Sequence, residues 1–307
     1  MAIRRPDGYV GKAAASGTSV FAMDTASGST TVPAYISNFV VDFMLEKHPS
    51  GTQNWYLSSR LTGDHFMYTN SNSAEIDGGN DYYFDSNIGA IKGSWTNNHQ
   101  GWMWKRHIGF DIQRYVGKTG NQSRAHGLNA VPEMIWAKSV NNAYEWAIGH
   151  KDLTSGWTSN HLRFTNSAEI AGQQYALAPT STHWTTPNGA LVNDNGEEYV
   201  AMLFSSVEGI SKVGSYSGSG SQQTITTGFR PRFLILKNIT NTADWYVLDT
   251  RRGWTDSPSD EYYLELNTTD AQAQANFGYP VATGFVLEGG NAVFSDSGNT
   301  YIYYAHA

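Results

Sequence analysis

The chain repeats itself, and that limits its fold to one unit used several times. Residues 132–146 (PEMIWAKSVNNAYEW) and 231–245 (PRFLILKNITNTADW) align without a gap. Pro132 and Pro231, Lys138 and Lys237, and Trp146 and Trp245 each stand 99 residues apart. A third segment, 41–55 (VDFMLEKHPSGTQNW), has Val41 in place of the proline but keeps Lys47 and Trp55 at the same spacing. Other anchors follow in the same order. Tyr9-Val10-Gly11, Tyr115-Val116-Gly117 and Tyr216-Ser217-Gly218 lie upstream, and 65–70, 161–166 and 263–268 lie downstream. Ser73-Ala74-Glu75-Ile76 returns as Ser167-Ala168-Glu169-Ile170. Near the module ends stand Gly101-Trp102, Gly196–Tyr199 and Gly298–Tyr301. Three diverged modules are expected over 1–113, 114–212 and 213–307. Residues 1–35 are either an anchoring arm or the first hairpin of module one.

Each module reads as β structure. Short runs such as 133–137 (EMIWA), 199–204 (YVAMLF), 232–236 (RFLIL), 245–248 (WYVL) and 300–304 (TYIYY) carry β-branched and aromatic residues between polar turns. In the repeated segment a proline opens the strand, where a missing N–H is tolerated. The run is apolar on both faces and so suits a central, covered strand. The lysine closes it at a position that can face solvent, and the tryptophan starts the next strand. One helix of two turns is expected over 269–277 (TDAQAQANF). A unit of about 100 residues can bury its own core and is too long for a propeller blade of about 40–50 residues. The expected fold is therefore all-β, with three tandem β-sandwich, jelly-roll-like modules.

Composition excludes several classes. Charged residues make up 15% of the 307, while 10 Trp, 18 Tyr and 13 Phe are present, so the chain is too aromatic to be disordered. It has no cysteine, hence no disulfide, thiolate metal site or cysteine nucleophile. A formal charge of −7 argues against a nucleic-acid partner. No apolar run reaches the roughly 18 residues of a membrane helix, and MAIRRPDGYVGK is not followed by the apolar stretch of a secretory signal.

Candidate chemistry is sparse. Trp55, Trp146 and Trp245 read as core packing, with a binding platform as the alternative. Arg60, Lys151 and Arg252 follow them by five to seven residues and read as salt-bridge partners or ligand contacts. His65 and His161 sit at matched positions where module three has Tyr263, a spread that suits strand-edge histidines better than a metal site. Asp77-Gly78-Gly79-Asn80 and Asn193-Asp194-Asn195 lack the spaced ligand series of a calcium loop. No Gly-x-Ser-x-Gly, His-Glu-x-x-His or phosphate-binding glycine loop occurs. No cofactor, metal or catalytic residue is expected. A pair of glycosidase carboxylates is not marked by any motif.

Residues 212–220 (KVGSYSGSG), 227–237 (TGFRPRFLILK), 245–253 (WYVLDTRRG), 284–287 (GFVL) and 300–305 (TYIYYA) together resemble β-rich repeat domains of tailed bacteriophages, which are frequent in marine and cyanobacterial phages. Module two shares the likeness through 132–138, 178–182 and 209–214. Module one departs most and joins through the repeat. The resemblance implies a non-enzymatic virion structural protein on the particle exterior, assembled in the host cytoplasm. A tail fibre or appendage that binds a host-surface glycan is the leading form of that reading. A capsid decoration or head fibre is the second form, and a polysaccharide-degrading enzyme or free lectin the third. The expected partners are further copies of the chain, with a homotrimer first, and other virion proteins.

Overall fold

The computed structural model describes residues 14–27, 33–90, 98–189, 191–256, 260–291 and 293–307. Residues 1–13 and 28–32 of the 1–35 segment, with the Tyr9-Val10-Gly11 anchor, lie outside the described residues. The first module contains β1 (Phe21–Thr25), β2 (Tyr35–Ile36), β3 (Phe43–Lys47), β4 (Tyr56–Ser59), β5 (His65–Tyr68), β6 (Ile76–Asp77), β7 (Gly89–Ala90) and β8 (Gln100–Trp104). The second contains β9 (Phe110–Val116), β10 (Gln122–Ala125), β11 (Met134–Ser139), β12 (Ala147–His150), β13 (Asn160–His161), β14 (Ile170–Ala171), β15 (His183–Thr186) and β16 (Glu198–Phe204). The third contains β17 (Ser211–Ser217), β18 (Gln223–Thr226), β19 (Phe233–Asn238), β20 (Trp245–Asp249), β21 (Glu261–Glu265), β22 (Ala273–Ala275), β23 (Pro280–Val281), β24 (Gly284–Leu287) and β25 (Thr300–His306). Among the described residues the helical segments are three single 3₁₀ turns.

The protein is all-β, and its modules share one topology. The first large sheet runs β1-β8-β3-β4-β5-β6 and the third β17-β25-β19-β20-β21-β22. The second runs β9-β16-β11-β12, and the Ile148–Leu162 bridge leads on to the β13-β14 pair. Each large sheet is faced by a small one: β2-β7, β10-β15 and β18-β24-β23. The described part of the 1–35 segment supplies β1, an antiparallel edge strand on β8.

Strand alternation explains why the repeated runs are apolar on both faces. In β19, Phe233 and Ile235 enter a core shared by all three modules, while Leu234 and Leu236 enter the core of their own sandwich. Met134 and Trp136 of β11 likewise face the shared core, and Ile135 and Ala137 the second sandwich. In β3, Phe43 and Leu45 face the shared core and Met44 the first sandwich. A period of two thus fills two hydrophobic layers from one strand.

The modules close into a ring through bonds of one kind at each junction. The indole Nε1 of Trp146 donates to the Tyr68 carbonyl at 2.9 Å, that of Trp245 to Arg163 at 2.8 Å, and that of Trp55 to Glu265 at 2.8 Å. Module two therefore holds one, three holds two, and one holds three. A backbone series runs the other way around: Glu75 N–H to Val140 at 2.8 Å, Glu169 N–H to Ile239 at 3.0 Å, and Gln272 N–H to Pro49 at 2.6 Å. The three tryptophans are 0–1% exposed, so none offers an open ring to a ligand.

Several expectations change. The 269–277 segment forms no helix: Ala273–Ala275 pairs with Glu261–Tyr263, and Gln272 is tied to module one. Those bonds across chain segments outweigh the helix propensity of its alanines and glutamines. The large sheets divide the chain within 105–109 and 205–210, because β9 and β17 each span a boundary drawn from the repeats. The modules also bury a common core as well as their own. The Tyr-x-Gly anchors are steric: a Cβ on Gly117 or Gly218 would overlap the carbonyl oxygen of Asp194 or Asp296. Tyr115 and Tyr216 in turn stack on Tyr199 and Tyr301 at 5.2 and 4.9 Å.

Trp245→Phe strands the Arg163 carbonyl and also takes the indole's second ring out of the shared core. A loss of about 2–5 kcal/mol is expected in urea unfolding. The variant should still unfold in one transition by far-ultraviolet circular dichroism and by fluorescence, since the shared core couples the modules. A separate early transition of one module would show that the ring is not cooperative.

Candidate functional site

The lysines of the repeat do not face solvent. Lys47, Lys138 and Lys237 are all 0% exposed. Each curls under the turn that leads to its tryptophan and donates Nζ to backbone carbonyls. Lys138 reaches Ser139 at 2.9 Å and Asn142 at 3.0 Å, and Lys237 reaches Asn238 at 2.8 Å and Ala243 at 2.7 Å. Lys47 binds the carbonyls of Gln53 and, across the junction with module three, Thr269 at 2.8 Å. The eight-residue Lys–Trp spacing is thus the length of a turn wrapped on an ammonium group. Burial pulls all three down to about 8 from the ordinary 10.5, and one acid opposes the effect in each case: Asp270 at Lys47, Glu145 at Lys138 and Asp244 at Lys237.

Above these turns, where the modules meet, lies a cavity of about 550 Å³ that opens to solvent. Module one lines it with Asn70, Ser71 and Asn72, module two with Glu145, Phe164, Thr165 and Asn166, and module three with Asp244, Asn267 and Thr268. Asn70, Asn166 and Asn267 stand in the turns beyond β5, β13 and β21, and the residue before each tryptophan is Asn54, Glu145 or Asp244. In modules one and three these positions lock together. Asn70 Oδ1 accepts the Trp55 N–H at 2.8 Å and Nδ2 donates to Asn54 Oδ1 at 2.7 Å. Asn267 accepts the Trp245 N–H at 2.7 Å and donates to Asp244 Oδ1 at 2.7 Å. Module two breaks the pattern: among the described residues neither Glu145 nor the exposed Asn166 side chain makes a hydrogen bond. Phe164 lies beneath them, its ring 5.3 Å from those of both Trp146 and Trp245.

The sequence marked the tryptophans and lysines around this cavity but not its lining. The available signal was the Asn that ends 65–70 and 161–166. In module three the residue that accepts the tryptophan N–H is Asn267, one position before the end of 263–268.

The remaining sequence candidates lie elsewhere. Pro132 and Pro231 are buried just ahead of β11 and β19, where Val41 precedes β3. Arg60 and Lys151 sit at the far end of their hairpins from the lysines. Arg60 faces Asp42 at 3.5 Å and Lys151 faces Glu133 at 2.7 Å. The matching position in module three is Thr250, whose N–H binds the Arg232 carbonyl as those of Arg60 and Lys151 bind Asp42 and Glu133. Arg252 is not their counterpart. It is buried against Asp249 at 2.7 Å, and Asp249 also accepts the Trp102 indole of module one at 3.1 Å. His161 is buried with Nδ1 2.9 Å from the Gly172 carbonyl. Asp64, beside His65, accepts the Tyr82 N–H at 3.0 Å and that of Asn80. No group of three or more His, Asp or Glu placed to hold a metal occurs among the described residues.

The model of a domain of unknown function, DUF7483, matches residues 104–307, about two thirds of the chain, and the protein belongs to that family. The match spans modules two and three and begins at the last strand of module one. No curated protein matches the chain.

The buried cations set a pH dependence with a defined sign. Between about pH 8 and 10.5 the folded chain has released the lysine protons that the unfolded chain still holds, so stability rises with pH. Tyrosines such as Tyr199 and Tyr303, pushed up to about 12 by burial, reverse the trend above about pH 10, where unfolded tyrosines ionise first. At the acid end, buried His107 and His150 are pushed down to about 3. Each accepts a backbone N–H on Nδ1, from Gly109 at 3.0 Å and Asp152 at 3.1 Å, so stability falls from about pH 6.5 towards pH 3. Thermal unfolding across pH should give a maximum near pH 9–10, and a maximum at pH 6–7 would contradict the lysine burial.

Proposed function

We propose that the chain is a non-enzymatic structural component of a tailed-bacteriophage virion, most simply part of a tail fibre or appendage, with a host-surface glycan as its outer ligand. The observation that carries this reading is the closed ring. Three sandwiches joined by buried indole and backbone bonds make a rigid block of the kind an exposed, mechanically loaded particle surface needs. The block already has the rotational arrangement that a homotrimer would provide, so one chain can occupy a symmetric position while further copies extend it. The likeness of 115–307 to phage β-repeat domains gives the reading its context. Serine, threonine, asparagine and aromatic side chains suit both subunit packing and sugar contact.

A polysaccharide-cleaving reading has one observation in its favour: Glu145 and Asp244 line the same cavity from different modules. Asp244, however, is held by Asn267, as a structural acceptor would be.

Cryo-electron microscopy of particles that contain the chain separates the forms. Density on the tail is expected. A lattice over the head would replace the tail reading with capsid decoration, and absence from every particle would overturn the virion reading. Incubation with host envelope polysaccharide should release no reducing ends. Release that Glu145→Gln abolishes would make the protein an enzyme.

A further inference from the structure

We infer that the cavity between the modules is a saccharide-binding site in which Glu145 and Asn166 make the direct hydrogen bonds; this rests on the glycan-binding part of the proposed function. The argument starts from broken symmetry. In modules one and three the residue before the tryptophan and the asparagine in the turn beyond β5 or β21 bond to one another, and the asparagine also holds the tryptophan N–H. In module two a carboxylate and an amide stand at the same two positions with no side-chain hydrogen bond to any described residue, in the wall of a cavity of about 550 Å³. Cavities of about 300–1,000 Å³ are the usual size of small-molecule sites.

The chemistry of these groups selects the ligand. A carboxylate offers acceptors only, whereas an amide offers an acceptor and two donors, a set that suits adjacent hydroxyls of a sugar ring. Thr165 and Thr268 add hydroxyl groups to the wall, and Phe164, packed between the Trp146 and Trp245 rings, forms the floor beneath them. The site also exists only in the assembled ring, because all three modules contribute to it.

The test uses the full chain on a microarray of bacterial capsular and O-antigen oligosaccharides, followed by titration of the best ligand. Asn166→Ala and Glu145→Gln should each weaken binding roughly tenfold, while Tyr262→Ser and Tyr83→Ser, at exposed rings elsewhere, should leave it unchanged. In the isotope-labelled wild-type chain the Asn166 side-chain amide resonances should shift on titration, a readout that needs no variant to fold. Binding that survives both cavity substitutions but fails in a tyrosine variant would overturn this site and keep the glycan reading. No binding across the array would overturn both. Binding lost on addition of EDTA would place a bound cation, not the two side chains, at the contact and overturn the inference as stated.

Discussion

Everything in this protein hangs on the tryptophan indole that crosses each junction. An indole N–H buried without an acceptor is costly, and each of these finds its acceptor only on the neighbouring module. The same rings fill the shared core, so hydrophobic burial and polar satisfaction are met by one side chain in one placement. No module can keep its own tryptophan both buried and hydrogen-bonded unless the previous one is in position. Trp102 and Trp104 repeat the principle between modules one and three, donating to Asp249 and to the Tyr304 hydroxyl.

Around that hydrophobic centre lies a charged layer that does not favour folding for its own sake. Three ammonium groups are removed from water and satisfied by carbonyls, with single carboxylates nearby. Such groups cost desolvation energy. In return they fix the turns that carry the tryptophans, because a carbonyl-lined turn around a cation has few alternative conformations. The alkyl stems of the lysines are buried at the strand ends while the head groups reach the carbonyls of the turn, an arrangement open to lysine and to few other residues.

Much of this was legible in the chain. The all-β class followed from strand-length apolar runs between polar turns. The paired apolar faces of 133–137 and 232–236 marked the central strands β11 and β19, which do lie between strand neighbours on both sides. What the sequence concealed was where the second apolar face went. A strand apolar on both sides fits an isolated sandwich and a ring of sandwiches equally well, and only the structure shows Ile235 and Leu236 entering different cores. The lysines were misread for a related reason. Their charge suggests solvent, and their acceptors are backbone carbonyls that leave no mark in the sequence. The cavity lining was nearly visible in Asn70 and Asn166, but a one-residue offset at Asn267 hid the third member. The exceptional behaviour of Glu145 and Asn166 lies in bonds not made, which no residue pattern encodes.

A ring formed by three identical chains must accept every substitution three times, once at each interface. A ring written into a single chain need not. Glu145 and Asn166 occupy positions whose counterparts brace the tryptophan turn within modules one and three, and module two keeps its junction through the Trp146 indole without that brace. Tandem copies therefore let one module drift while the others preserve the architecture. The departure of module one from the repeat, and of Thr250 and Arg232 from the cation–acid pairing kept by Arg60 and Lys151, are further steps along that path.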